Sequence, residues 1–267
     1  MGRIRDALAR ARRDGRVALI TYVTAGYPEP DATPALVQAL VEGGADAIEL
    51  GLPFSDPLAD GATLQRAGAR AIEGGMTAGR CLDVIREVRG QGVVIPLIVM
   101  TYYNPILAYG QDAFVRDAAA AGMDGLIVVD LPPEEAGELM ARCRAGKLDL
   151  IPLLAPTSTD ERIALALRLA SGFVYCVSVA VVTGAREALP EELGSFLARV
   201  RRQTELPLAV GFGVSRREHV EALQGRADAA VVGSAIVDVI EASPRAEREE
   251  RVKAYVEVLA GRRKARV

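Results

Sequence analysis

The sequence predicts a (β/α)₈ barrel with an extra N-terminal helix. Three observations carry the prediction. Eight short apolar or β-branched runs recur along the chain, helical patterns lie between them, and the length of 267 residues is ordinary for that fold. A doubly wound open sheet is the alternative, but it leaves the eighth strand unit unexplained.

The elements follow in order. Residues 3–13 read as a short helix before the first strand, placed to plug the bottom of the barrel. Strands are expected at 18–24, 45–50, 95–101, 125–130, 148–154, 173–177, 206–211 and 229–233. Each is a short apolar or β-branched run of strand length. Helical periodicity is clear at 31–42, 112–121, 134–144, 160–170, 190–202, 216–223 and 244–261, and a further short helix begins at Gly233-Ser234. Two connections exceed the usual few residues, 51–61 after the second strand and 178–189 after the sixth. Both follow strand C-termini, the face on which this fold carries its active sites. No break in composition marks a linker, so residues 1–267 are expected to form one domain.

Composition excludes several function classes. Half the residues are hydrophobic and the net charge is -3, which argues against general nucleic-acid binding. Of 32 basic residues only Lys147, Lys253 and Lys264 are lysines. Cys81, Cys143 and Cys176 are odd in number and far apart, and no metal-ligand spacing involves them. The N-terminus is charged and lacks the apolar core of a signal peptide, and no apolar run reaches membrane-spanning length. A cytoplasmic location is expected. His219 is the single histidine, in the helix after the seventh strand, where packing or solvent contact is the expected role. A Ser-His-Asp triad has little support.

The chemistry concentrates in Glu49-Leu-Gly-Leu-Pro-Phe-Ser-Asp-Pro-Leu-Ala-Asp60-Gly61. Side chains alternate along a strand. If Ile48 and Leu50 face the outer layer, Glu49 faces the interior, where an ionised carboxylate is costly unless paired or raised in pKa. An acid–base catalyst could use such a group, with Asp60 arriving on the following loop. Gly211-Phe212-Gly213-Val214-Ser215 and Gly233-Ser234 follow the seventh and eighth strands, and helices begin after both. Helix N-termini with glycines admit a phosphate, and these two loops are the usual barrel phosphate site. Val182-Thr183-Gly184 reads as a surface loop or as a mobile lid, with Gly184 able to add an N–H to that site. Tyr22, Met100, Tyr102, Ile127, Val129, Leu153 and Phe212 lie near strand C-ends and suggest an apolar pocket for a flat ring; Tyr175 points into the barrel if it shares a face with Phe173 and Val177. No lysine is placed for a Schiff base, and the histidines of a metal-dependent aldolase are missing. Carbon–carbon cleavage here would rest on carboxylate acid–base chemistry and a substrate that stabilises its own carbanion.

These segments resemble the tryptophan synthase alpha subunits over nearly the whole chain. The likeness rests on the Glu49–Gly61 stretch, Tyr22-Val-Thr-Ala-Gly, Tyr102-Tyr-Asn-Pro, Asp130-Leu-Pro, Tyr175-Cys-Val-Ser, Val182-Thr-Gly-Ala and Gly211-Phe-Gly-Val-Ser. The resemblance implies a barrel that cleaves indole-3-glycerol phosphate to indole and glyceraldehyde 3-phosphate, with the indole ring as electron sink. It assigns Glu49 as general acid–base and Asp60 as partner of the indole N–H. Thr183 would orient Asp60, and Tyr175 has a supporting role. Leu64 joins the substrate-binding residues. Gly184, Gly211, Gly213, Gly233 and Ser234 would hold the phosphate. No cofactor is implied for this chain. The implied partner is a beta subunit carrying pyridoxal phosphate, in an alpha-beta-beta-alpha tetramer, faced by Asp56, Pro57 and Asp130. The alternatives are a stand-alone indole-releasing lyase and a weakly catalytic activator of a beta subunit. The sequence departs from the family pattern at Val181, where the family usually has Gly, and at Ala62, where Pro is common.

Overall fold

The structure is a computed structural model that describes residues 2–177, 191–211 and 213–263. Its strands are β1 (Ala18–Thr24), β2 (Ala47–Gly51), β3 (Leu97–Thr101), β4 (Gly125–Val128), β5 (Asp149–Ile151), β6 (Leu153–Leu154), β7 (Val174–Val177), β8 (Leu208–Gly211) and β9 (Ala229–Val232). All pair in parallel, in the order β5-β4-β3-β2-β1-β9-β8-β7-β6. The two ends of this order are halves of the run expected at 148–154, and they close the barrel between them. Pro152 divides that run because it has no N–H to give to the ladder. Its carbonyl still accepts from the Tyr175 N–H at 3.0 Å. β5 therefore pairs only with β4, ending at Ile127↔Ile151, and β6 pairs only with β7. Above Ile127 the wall has no ladder between the fourth and fifth strand positions.

Period-2 alternation sorts the side chains into two cores. Ile20, Ala47, Ile98, Ile127, Ile151, Phe173 and Ala209 fill the barrel. Leu19, Ile48, Leu50, Val99, Leu126, Leu150 and Val210 face the helices. The N-terminal helix α1 (Arg3–Arg13) closes the bottom, and its Ile4, Leu8 and Ala11 join the inner cluster. Gly125 makes room for it: a Cβ there would lie 2.8 Å from Ile4 Cδ1.

The outer helices are α2 (Thr33–Gly43), α3 (Ala62–Glu73), α4 (Ala78–Gly90), α5 (Tyr103–Tyr109), α6 (Gln111–Ala121), α7 (Gly137–Ala145), α8 (Asp160–Leu169), α9 (Glu191–Arg201), α10 (Arg217–Glu221), α11 (Ser234–Ala242) and α12 (Arg248–Leu259). α3, α4 and α5 are additions to the sequence expectation. Thr77 starts α4 by accepting from the Arg80 N–H at 3.3 Å. The helix expected at 244–261 begins with a 3-10 turn, Arg245–Glu247, before α12. No described helix is long and apolar enough to cross a membrane.

One clasp recurs at the lower rim. Asp46 accepts from the Leu19 N–H at 2.8 Å and from both terminal nitrogens of Arg16. Asp124 accepts from the Leu97 N–H at 2.9 Å and from one terminal nitrogen of Arg89, and Asp228 from the Leu208 N–H at 2.8 Å and one terminal nitrogen of Arg201. Each ties the start of one strand to the residue that leads into the next. In the third pair the Ser171 hydroxyl takes the carboxylate's place on Leu150 N–H at 3.0 Å.

Candidate active site

β2 delivers Glu49 into the barrel, in register with Tyr22 of β1 and Ile98 of β3. Its neighbours Ile48 and Leu50 face the helices, and Glu49 is 1% exposed. Its Oε2 has no hydrogen-bond partner among the described residues. Burial, and secondarily the charge of Asp60, pushes its pKa up to about 8. Asp60 is half-buried on the loop after β2, and burial pushes its pKa up to about 6 against the opposing hydrogen bond from the Tyr102 hydroxyl. The two carboxyls thus separate near neutral pH, Glu49 mostly protonated and Asp60 mostly ionised, because their environments push the two pKa values apart.

The loop is tethered to β3. Tyr102 accepts from the Ala59 N–H at 2.9 Å, its ring lies 5.3 Å from that of Phe54, and Thr101 donates to the Leu52 carbonyl at 3.2 Å. Asp130, exposed after β4, accepts from the Tyr103 N–H at 2.7 Å and so caps α5. Two further tyrosines sit above glycines. A Cβ at Gly51 would lie 2.0 Å from the Tyr22 hydroxyl, and one at Gly211 would lie 2.6 Å from that of Tyr175. The Tyr22 hydroxyl shares a 3.1 Å hydrogen bond with Thr24. Burial first holds both phenols well above their usual pKa, with the Glu49 charge adding to each. Glu49 therefore has neutral phenols around it. The roles of Thr24 and Gly51 were not read from the sequence. The signal available was position: Gly51 shares the inward face with Glu49, two residues on.

Two chambers open above the inner core. The larger, about 680 Å³, is lined by Asp60, Leu64, Met100, Val129, Leu153 and Tyr175 among others. The smaller, about 380 Å³, shares Gly61, Leu64 and Tyr175 and is otherwise lined by Gly211, Gly213, Val214, Gly233 and Ser234 among others. Gly213 has φ +77° and no atom within 4 Å of where a Cβ would be. Gly233 is the N-cap of α11 and Ser234 its first residue. No lysine or arginine lines this chamber among the described residues. Tyr22 and Tyr102 line a narrow recess beside Asp60, Leu64 and Met100. Ile127 corrects the expectation: it is fully buried in the inner cluster, one layer below Val129, and lines neither chamber. The period of two puts it on the right face, but its depth could not be read from that period. Thr183, Gly184 and Phe212, with Val181 and the expected lid, lie outside the described residues. His219 accepts from the Ser215 N–H at 3.3 Å, in the turn that leads into α10.

The family model described as tryptophan synthase alpha chain matches residues 8–266. The chain belongs to that family. The tryptophan synthase alpha chain of Roseiflexus castenholzii is 52% identical over 261 residues, covering 98% of this chain and 100% of that protein. A tryptophan synthase of Saccharomyces cerevisiae is 44% identical over 255 residues, which span 95% of this chain but 36% of the yeast protein. Among solved structures, tryptophan synthase subunit alpha from Legionella pneumophila superposes with a TM-score of 0.90 at 35% identity, over 98% of both chains. Tryptophan synthase from M. tuberculosis in its aminoacrylate-bound form gives 0.87 at 37% identity, over 97% of this chain and 98% of that one.

A tryptophan synthase alpha chain is a carbon–carbon lyase: it cleaves indole-3-glycerol phosphate to indole and glyceraldehyde 3-phosphate. Such a substrate carries a flat apolar ring at one end and a dianion at the other. The two adjoining chambers have the matching chemistry, one mostly apolar, the other built of glycine backbone and a helix N-terminus.

Proposed function

We propose that Glu49 and Asp60 perform the cleavage, with the indole ring in the larger chamber and the phosphate in the smaller. The observation that carries this reading is a fully buried carboxyl, whose Oε2 has no partner among the described residues, beside a second carboxyl that is ionised at neutral pH. Protonated Glu49 gives its proton to the ring carbon that bears the glycerol chain. The ring nitrogen becomes cationic, and the Asp60 carboxylate accepts its N–H and stabilises the charge. Glu49, now a carboxylate, takes the proton of the adjacent chain hydroxyl. A carbonyl forms there, the carbon–carbon bond breaks, and its electron pair returns to the ring as neutral indole. Glu49 regains its proton within the cycle, so no external acid or base is consumed. Met100, Val129, Leu153 and Leu64 sandwich the ring, with Tyr22, Tyr102 and Tyr175 behind the carboxyls. The backbone around Gly211, Gly213, Gly233 and Ser234 holds the phosphate, and Thr183, Gly184 and Phe212 are proposed to complete the site.

The partner in this reading is a tryptophan synthase beta subunit that carries pyridoxal phosphate and takes up the indole, in an alpha-beta-beta-alpha assembly. Its contact is placed on the loop after β2 and at Asp130. Support comes from Leu58, which is 85% exposed between Pro57 and Ala59 on the loop that also carries Asp56 and Asp60. One domain spanning residues 1–267, working in the cytoplasm without a cofactor of its own, completes the proposal.

The test is indole release from indole-3-glycerol phosphate, with and without a beta subunit. Glu49→Gln is expected to lower kcat by roughly 10²–10⁴ with the fold intact, the usual contribution of general acid–base catalysis. For the native chain, kcat/KM is expected to rise with pH through about 6 as Asp60 ionises and to fall through about 8 as Glu49 loses its proton. A Glu49→Gln variant that keeps a third of native turnover overturns the assignment.

A further inference from the structure

The larger chamber does not end at the barrel wall. Its lining includes Ile151 and Leu153, which face the barrel, and also Leu150 and Leu154, which face the helices. The strand ladder is interrupted at the same place. The opening is the gap left by Pro152: β4 is paired up to Ile127 with β5 and has no ladder with β6. Through it the chamber passes between Val128-Val129 on one side and Pro152–Leu154 on the other. On the helix side of that gap the lining continues as an annex with Pro132, Pro133, Ala136, Ala155 and Leu169 as apolar members and Thr157, Ser158 and Arg162 as polar ones.

The chamber is larger than the parent ring needs. Indole has nine non-hydrogen atoms, each occupying less than the ~30 Å³ share of a liquid water, so the ring needs under about 270 Å³. The chamber holds about 680 Å³, and the phosphate end of the substrate has its own. Leu153 and Val129 border the gap on its two sides.

We propose that the slit beside Pro152 is a specificity site, through which the annex takes apolar substituents on the benzo edge of the indole ring, so that the enzyme cleaves ring-substituted indole-glycerol phosphates. The inference rests on the placement of the ring in the larger chamber. One edge of the ring faces Leu153, and a halogen or methyl group on that edge enters the slit instead of meeting a closed wall. An apolar group gained or excluded in a pocket of this kind changes discrimination by roughly 10–200-fold.

The experiment measures kcat/KM for indole-3-glycerol phosphate and for its bromo derivatives at each of the four benzo positions. The native chain is expected to cleave at least one derivative within threefold of the parent compound. Ala136→Leu and Ala155→Leu each fill the annex from a different wall, away from Glu49 and Asp60. Each is expected to lower that derivative's kcat/KM at least tenfold and to leave the parent within twofold. Two walls are tested so that the result survives if one variant folds poorly, which thermal melting reports. Rejection of all four derivatives by more than tenfold in the native chain overturns the proposal, as does an equal loss for parent and derivative in a folded filled variant. Failure to cleave the parent compound strikes instead at the reading of the site itself.

Discussion

Glu49 sits where folding disfavours its charge, and this gives the site a signature independent of turnover. The group ionises near 4.5 in an unfolded chain and near 8 in the folded one. Between those values the unfolded chain has released a proton that the folded chain keeps. Stability due to this group is therefore full below pH 4.5, falls as pH rises to about 8, and is level above. Glu49→Gln removes the titration. The variant is expected to gain on the native chain across that window, by on the order of a few kcal/mol at the upper end. Melting temperatures of both proteins at pH 5 and pH 8.5 check it, and a constant difference between them means Glu49 is ionised throughout. The burial of Glu49 was legible because it stands between Ile48 and Leu50 in a run of strand length, where side chains alternate between the two faces. Its surroundings were less so. That Tyr22 and Tyr175 each lie over a glycine of a neighbouring strand depends on register, and register is set by pairing across tens of residues.

At the scale of elements, strand existence was legible and strand integrity was not. The run at 148–154 reads as one strand because its apolar residues are continuous, yet Pro152 splits it into β5 and β6. The consequence is the open wall beside the larger chamber. α3 and α4 escaped the sequence reading because Gly68, Gly74-Gly75 and Gly79 interrupt a stretch otherwise rich in Ala and Arg. The clasps of Asp46, Asp124 and Asp228 also escaped it, since each joins residues 20 or 27 positions apart. α3 offers a direct test of local logic. Ala62 is its first residue, where an N–H has no partner within the helix, and Gly61 before it has φ -71° and ψ 162°, a conformation a following proline accepts. Ala62→Pro is expected to stabilise the chain by about 0.4–1 kcal/mol through the unfolded state. Urea denaturation measures this, and a loss of stability shows that the start of α3 has no room for the ring.

Across the whole molecule, one apolar column links the plug at the bottom to the floor of the active site. Ile4 and Leu8 of α1 touch the cluster of Ile98, Ile127, Ile151 and Phe173, on which Met100, Val129, Leu153 and Tyr175 rest. Helix α1 is thus part of the core, although its sequence is mostly arginine and alanine. Ile4 and Gly125 should behave as one unit, because the Ile4 Cδ1 occupies the space a Cβ at position 125 would need. Gly125→Ala is expected to cost ~1–3 kcal/mol by overpacking. Ile4→Val deletes the Cδ1 and is expected to cost ~0.5–1.5 kcal/mol by itself. Together they should cost less than the sum, since the valine leaves space for the new methyl. Relief should be partial, because Ile151 Cδ1 at 3.1 Å and the Asp149 carbonyl at 3.3 Å also crowd that position. A double-mutant cycle by urea denaturation reads the coupling directly, and contacts of this kind give 0.5–3 kcal/mol where they exist. Strict additivity means that α1 does not seat Ile4 against β4, and that the column is broken at its lowest contact.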